Sequence, residues 1–299
     1  MIQQSSKSAA RFVWKIIFTV VICALSVSRA LAGDLEEIKT RGVLRHLGVP
    51  YANFVTGSGD GLDVEMIKLF AMHLGVKYEY VKTTWERVFS DLTGKKITNT
   101  GDEVKITGDV PVKGDIAANG LTILPWRKKV ADFSVATFPN QVWAVANGDA
   151  PLTPIIPSGD VQKDIKAVKA QLHGKVILGL TNTCVDPHLY GLEEAGAKIK
   201  SFRGSLNELV PAIMNGEGDI CLQDVSGVLI AVEKWPDKVK ILGPVSFMHN
   251  MGYAFDKNSP ELRNAFNEFF DQCKKDGTYN RIVMKYYPAI FKFYPDFFN

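Results

Sequence analysis

The sequence predicts an α/β fold of two lobes, and three observations predict it. From Gly42 to the end, apolar runs with β-type residues alternate with helical patterns. A Pro/Gly/Ser-rich stretch, 151–159, interrupts the alternation, which then restarts and marks passage into a second lobe. With 299 residues the chain is also long enough for two cores of ordinary domain size.

Val43 to Val49 reads as the first strand. A helix follows, with Gly61-Leu62-Asp63 at its start, Asp63 as a possible cap, and Val64, Ile67, Phe70, Ala71 and Leu74 on one face before Gly75 stops it. Lys77 to Val81 is a second strand, a short helix starts at Thr84, and Asp115 to Ala118 and Val142 to Val145 are further strands. In the second lobe Lys175 to Leu180 reads as a strand and Val185 to Ala195 as a helix. Ser205-x-x-Glu208 is a capping box opening another helix, which Pro211 should kink. Asp219 to Leu222 is a strand and Val225 to Lys234 a helix. Ser259-Pro260 starts a last amphipathic helix carrying Leu262, Phe266, Phe269 and Phe270, stopped at Gly277. Lys95 to Lys113 alternates polar and apolar residues like a surface hairpin, and Pro288 to Asn299 is an aromatic tail expected to pack on its neighbouring lobe.

Residues 1–32 read as an export signal. Lys7, Arg11 and Lys15 precede an apolar run, Ile16 to Leu25, that falls short of the about 20 residues of a bilayer span. Ala30-Leu31-Ala32 then offers small residues for cleavage before Gly33, and Cys23 lacks the small residue that a lipid-anchor signal needs before its cysteine. A periplasmic location is therefore expected. The leader holds four basic and no acidic residues, so it accounts for the net charge of +3 and leaves the remainder near neutral. Near-neutral charge without a basic stripe argues against nucleic acid.

Three cysteines remain after the leader: Cys184, Cys221 and Cys273. One bridge is the most they can form within the chain, Cys184 with Cys221 being the pair to test. Buried reduced thiols are the equal alternative. The sequence contains no Gly-x-Ser-x-Gly elbow, P-loop or His-Glu-x-x-His motif, and His46, His73, His173, His188 and His249 are scattered without metal spacing.

The run Gly120-Leu121-Thr122-Ile123-Leu124-Pro125-Trp126-Arg127-Lys128-Lys129-Val130-Ala131-Asp132-Phe133-Ser134 resembles the signature of family 3 extracellular solute-binding proteins. Gly61 to Leu74, Gly216-Glu217-Gly218-Asp219-Ile220 and Lys274-Lys275-Asp276-Gly277-Thr278-Tyr279 resemble other blocks of that family, in the same order. The resemblance implies a type II periplasmic binding protein fold with two crossings between lobes, near Thr137 to Gln141 and Phe247 to Met251. Residues 33–139 with 249–299 would form the first lobe and 140–248 the second. It further implies a monomer without cofactor that captures an amino acid or similar zwitterion and passes it to the membrane subunits of an ABC importer.

At the matched positions Arg127 offers a fork of donors for a carboxylate, with the Thr122 hydroxyl nearby. Thr183 and the backbone N–H of Cys184 fall at the start of the expected helix, where an anion is favoured. Asp224 would take the ammonium group, helped by the carbonyl of Asn119 or Gly120, and Trp85 stands where the family places a stacking aromatic. Tyr51 and Asn53 occupy the stretch that reads the ligand's side chain. Each residue also has a structural reading: Arg127 in a solvated basic run with Lys128 and Lys129, Asp224 and Thr183 as helix caps, and Trp85 as core. Two other functions fit the same fold: a cyclohexadienyl-type dehydratase, for which Glu86 is the one nameable acid, and a sensory or dehydrogenase-associated binding protein.

Overall fold

A computed structural model describes residues 34–100 and 103–298; the expected leader and its cleavage site lie outside them. Asp34 caps helix α1 (Leu35–Arg41), Gly42 closes it in a left-handed conformation, and strand β1 (Val43–Gly48) follows. Helix α2 (Leu62–Leu74) ends on the left-handed Gly75, as its sequence requires. After β2 (Lys77–Lys82) come α3 (Val88–Thr93), the hairpin β3 (Lys95–Thr100) with β4 (Glu103–Asp109), and β5 (Ile116–Ala117). Helix α4 (Pro125–Val130), β6 (Asp132–Phe133), β7 (Phe138–Asn140) and β8 (Val142–Asn147) complete the first half of the chain.

The second half runs through α5 (Val161–Lys169), β9 (Val176–Gly179), a single 3-10 turn at Pro187–Tyr190, and β10 (Lys198–Ser201). The capping box forms as expected: Ser205 and Glu208 bond reciprocally, opening a 3-10 turn (Leu206–Glu208) that runs into α6 (Leu209–Met214). Pro211 lies in the first turn of α6, where a missing N–H costs no intrahelical bond. Then follow β11 (Ile220–Asp224), α7 (Val225–Lys234), β12 (Val239–Pro244), β13 (His249–Met251), β14 (Ala254–Phe255), α8 (Pro260–Lys275), α9 (Thr278–Tyr286), α10 (Ile290–Phe293) and α11 (Pro295–Phe298).

Two mixed five-stranded sheets result, with orders β2-β1-β5-β14-β6 and β10-β9-β11-β8-β12. The chain crosses from one to the other along β7 and returns along β13, and these two strands pair antiparallel, Phe138 opposite Met251 and Asn140 opposite His249. The last pass adds β14 between β5 and β6, so the final strand and helices complete the first sheet's layer. Asp115, fully buried, ties the N-terminal helix and β1 to this layer by ion pairs of 2.6 Å to both Arg41 and Arg45.

The core under the first sheet is aromatic. Phe266 on α8 has no exposed surface and lies against the rings of Phe70, Tyr253, Phe255, Phe269 and Phe270. The tail packs in the same way: Ile290 is fully buried, and Phe298 meets Phe138 of the crossing strand and Tyr279 of α9.

The expected helix Val185–Ala195 is a correction. Pro187 starts one turn, but Gly191 takes a left-handed conformation and ends it. All three cysteines are buried free thiols, so the Cys184–Cys221 bridge is not formed. Replacing Phe266 by alanine should lower unfolding stability in urea by about 3–5 kcal/mol, since it opens a cavity among five rings.

Candidate functional site

Arg127 projects inward from α4, a six-residue helix whose only buried members are Trp126 and Arg127. Lys128 and Lys129 face solvent, so the basic run divides: one guanidinium turns in and two ammonium groups stay out. Arg127 is 1% exposed. Its Nη1 donates to the Thr122 carbonyl at 2.8 Å and its Nη2 to the Asn182 carbonyl at 3.1 Å, while Nε is buried without a partner. Trp85, Phe89 and Trp126 surround the guanidinium carbon, with centroids at 5.9, 5.5 and 5.4 Å. No carboxylate of the described residues pairs with it. Burial lowers its pKa to about 10, which leaves it charged at neutral pH.

Asp224 ends β11 and caps α7, as the structural reading of this residue expects. Its Oδ1 accepts from Gly227 N at 3.0 Å, Ser226 Oγ at 2.6 Å and Tyr51 Oη at 2.5 Å. Its Oδ2 has only a weak thiol contact, 3.9 Å from Cys184 Sγ. Burial raises the Asp224 pKa against the pull of these donors. The Tyr51 bond joins the two sheets' halves, because Tyr51 follows β1 and Asp224 ends β11, the strand beside β9. Asn207 makes a second such bridge by accepting from the Ala52 N–H at 3.0 Å.

Asn140, at the end of the crossing strand β7, links the two charged groups. Its Nδ2 donates to Thr122 Oγ1 at 2.9 Å and lies 3.9 Å from Cys184 Sγ, and its Oδ1 accepts from Val225 N at 3.3 Å. Sequence reasoning missed Asn140, although an Asn-Gln pair inside an otherwise apolar crossing was a signal for it. The Asn182 carbonyl, presented by a residue at φ 65°, was also missed.

The loop after β5 is clamped from both sides. Gly120 sits at φ 65°, and a Cβ there would lie 2.5 Å from the Phe54 ring, so only glycine fits. Its N–H donates to Asp63 Oδ2 at 2.7 Å, and Tyr253 donates to Asp63 Oδ1 at 2.8 Å. Asp63 therefore does not cap α2, whose first turn starts at Gly61; it reaches across to hold this loop. On the other side His46 Nε2 donates to the Ala118 carbonyl at 2.6 Å, and the Tyr78 hydroxyl donates to Nδ1 at 2.9 Å. Between the clamps, Asn119 is fully buried with neither amide atom partnered.

Of the other expected residues, Trp85 stands edge-on to Tyr51 with centroids 5.8 Å apart and faces Arg127. Thr183 does not open an α-helix: its hydroxyl donates to the Leu180 carbonyl and accepts from Val185 N, a local turn, and Asp186 caps the short 3-10 segment. The dipole argument for Thr183 and Cys184 falls with the missing helix. Asn53 turns to the end of α9, its side chain donating to the Tyr286 carbonyl and its backbone N–H to the Tyr287 hydroxyl. Arg127, Thr122, Asp224, Cys184, Trp85 and Tyr51 thus share one connected network, with Asn119 and Gly120 on the adjoining loop.

The family model of bacterial extracellular solute-binding proteins, family 3, matches residues 111–289. The chain belongs to that family. This solute-binding protein is 24% identical over 280 residues to the L-cystine-binding protein TcyJ of Escherichia coli, covering 92% of this chain and 94% of that protein. It is 25% identical over 234 residues to membrane-bound lytic murein transglycosylase F of Desulfosudis oleivorans; the match takes in 77% of this chain but only 44% of that relative's length. A solved ancestral arginine-binding protein bound to arginine superposes with a TM-score of 0.64 at 25% identity, over 83% of this chain and 99% of that one. The fold is that of the type II periplasmic binding proteins, and no helix among the described residues is long and apolar enough to cross a membrane.

The two clamps titrate in opposite senses. Burial lowers the His46 pKa from 6.5 to about 4, so its contribution to stability is present above 6.5 and is lost as pH falls through 4. Burial raises the Asp63 pKa from 3.8 to about 7, so the folded state loses stability as pH rises over that interval. Asp63→Asn removes the second slope. Its urea-unfolding stability should rise more steeply with pH between 4 and 6.5 than that of the unmodified protein; parallel curves would contradict the buried Asp63 carboxyl.

Proposed function

We propose that the protein captures an α-amino acid or a similar small zwitterion between its two sheets, in the periplasm, and delivers it to the membrane subunits of an ABC importer. The observation that carries this reading is a pair of buried, opposite charges that lack ionic partners among the described residues. Arg127 keeps a buried Nε–H, and Asp224 keeps an oxygen that has only a thiol contact. A molecule with a carboxylate at one end and an ammonium at the other supplies what each group lacks. Asn119, with a buried donor and acceptor both unpartnered, suits the same polar ligand. Amino-acid ligands of the cystine-binding and arginine-binding relatives support the reading.

The lobes would be residues 33–139 with 249–299 and residues 140–248, hinged at the paired β7 and β13. Closure is favoured because the ligand touches both walls only when they meet. The Tyr51–Asp224 and Arg127–Asn182 bonds hold the walls together from the protein's own side.

Arg127→Ala should weaken amino-acid binding in calorimetry by about 3–5 kcal/mol, the cost of removing one partner of a buried charge pair, and Arg127→Lys should lose most of it because one ammonium cannot replace the fork. Normal binding by Arg127→Ala would refute the site.

A further inference from the structure

Tyr51 reaches Asp224 from a strained turn. The next residue, Ala52, sits at φ 47°, a left-handed conformation that crowds its Cβ and that an alanine side chain cannot offset with a hydrogen bond. The turn closes on itself where the backbones of Tyr51 and Val55 exchange hydrogen bonds of 3.0 and 3.3 Å. A turn of this kind keeps its shape when its surroundings hold it there.

Most of that hold comes from the end of α9. Asn53 N donates to Tyr287 Oη at 2.9 Å, and Asn53 Nδ2 donates to the Tyr286 carbonyl at 2.9 Å. Tyr287 is 2% exposed, and its ring lies against Phe54 of the turn and Phe138 of the crossing strand, with centroids at 5.1 and 5.2 Å. Tyr286 extends the brace to the start of α2: its hydroxyl accepts from Gly61 N at 3.1 Å and donates to Glu65 Oε1 at 2.5 Å. Gly61 packs directly on the turn, where a Cβ would stand 2.3 Å from the Phe54 carbonyl oxygen.

What the turn delivers is one donor. Asp224 Oδ1 takes two of its three hydrogen bonds from α7 itself, Ser226 and Gly227, and the third from Tyr51 on the other sheet's side. A Tyr51 hydroxyl that drifted away would leave that buried oxygen short of a donor and free the carboxylate to turn. The direction in which Oδ2 faces therefore depends on a turn that is held from the far end of the chain.

We infer that Tyr287 and Asn53 are positioning residues of the ligand site: they hold the Tyr51 turn, and the turn fixes Asp224 with Oδ2 left for the ligand's ammonium group. This rests on the zwitterion reading above and adds to it two residues that act without touching the ligand. Asn53, expected to read the ligand's side chain, spends its backbone and side-chain amides on α9 instead.

Calorimetry on the purified protein with the twenty standard L-amino acids and L-cystine finds the tightest ligand, which is then titrated into variants. Tyr287→Phe keeps both ring contacts and removes only the hydroxyl. It should weaken that ligand about fivefold, the worth of one hydrogen bond, and Asn53→Ala should weaken it at least as much. Tyr51→Phe should also weaken binding, and in that background Tyr287→Phe should cost no further affinity, because its effect runs through the Tyr51 hydroxyl. A merely structural bond would lower urea-unfolding stability alike in both backgrounds and leave affinity alone. Unchanged affinity in either Tyr287→Phe or Asn53→Ala, or equal losses with and without the Tyr51 hydroxyl, would overturn the positioning role and leave the Arg127–Asp224 site standing. Failure of the unmodified protein to bind any of these amino acids would overturn both.

Discussion

A guanidinium held out of water without an ionic partner is the constraint around which this molecule is arranged. Moving a charged group into a low-dielectric interior costs several kcal/mol after relaxation. Two carbonyls and three ring faces offset part of that cost at Arg127, and none of them neutralises it. These partners come from three stretches of chain, Trp85 to Phe89, Thr122 to Trp126, and Asn182 beyond β9, so the full set forms only when both sheets are in place. The short helix that carries it is too brief to stand alone and is held by what Trp126 and Arg127 bury.

The opposite charge is handled differently. Asp224 spends one oxygen on three donors, which fixes its orientation, and keeps the other nearly bare. Asn140 then sits between the two charges on the very strand that joins the halves, with its amide directed to Thr122 and its carbonyl to the start of α7. The strand that crosses between the sheets thus also carries the polar contacts of the site.

Much of the frame was legible in the sequence because it is written in local signals. The alternation of patterns, the Gly75 stop, the Ser205–Glu208 box and the run from Gly120 to Ser134 all act over a few residues, and the structure contains each of them. The failures have two causes, local signals misread or left unread and partners remote in the chain. The stretch from Val185 to Ala195 has helical composition, but one glycine decides it. β10 was absent from the reading because a four-residue polar edge strand carries little periodic signal; α5 was absent although its Asp160 cap and its Val161, Ile165 and Val168 stripe were there to read. Asp63 was read as a cap because its true partners are 57 and 190 positions away. Asn140 and Asn182 act through atoms whose partners lie 18 and 55 positions away. Local codes are readable one segment at a time; a clamp between distant segments is not.

Cys184 has a consequence of its own. Burial, first, and the neighbouring Asp224 carboxylate raise its pKa to about 12, so the sulfur stays protonated and unreactive while the halves are together. It lies against Asn140 of the crossing strand β7 and Asp224 of β11, and any loosening there that admits water also admits an alkylating reagent. Its modification, told apart from that of the free thiols Cys221 and Cys273 by peptide mass mapping, therefore reports on the packing around Asp224 without any dye.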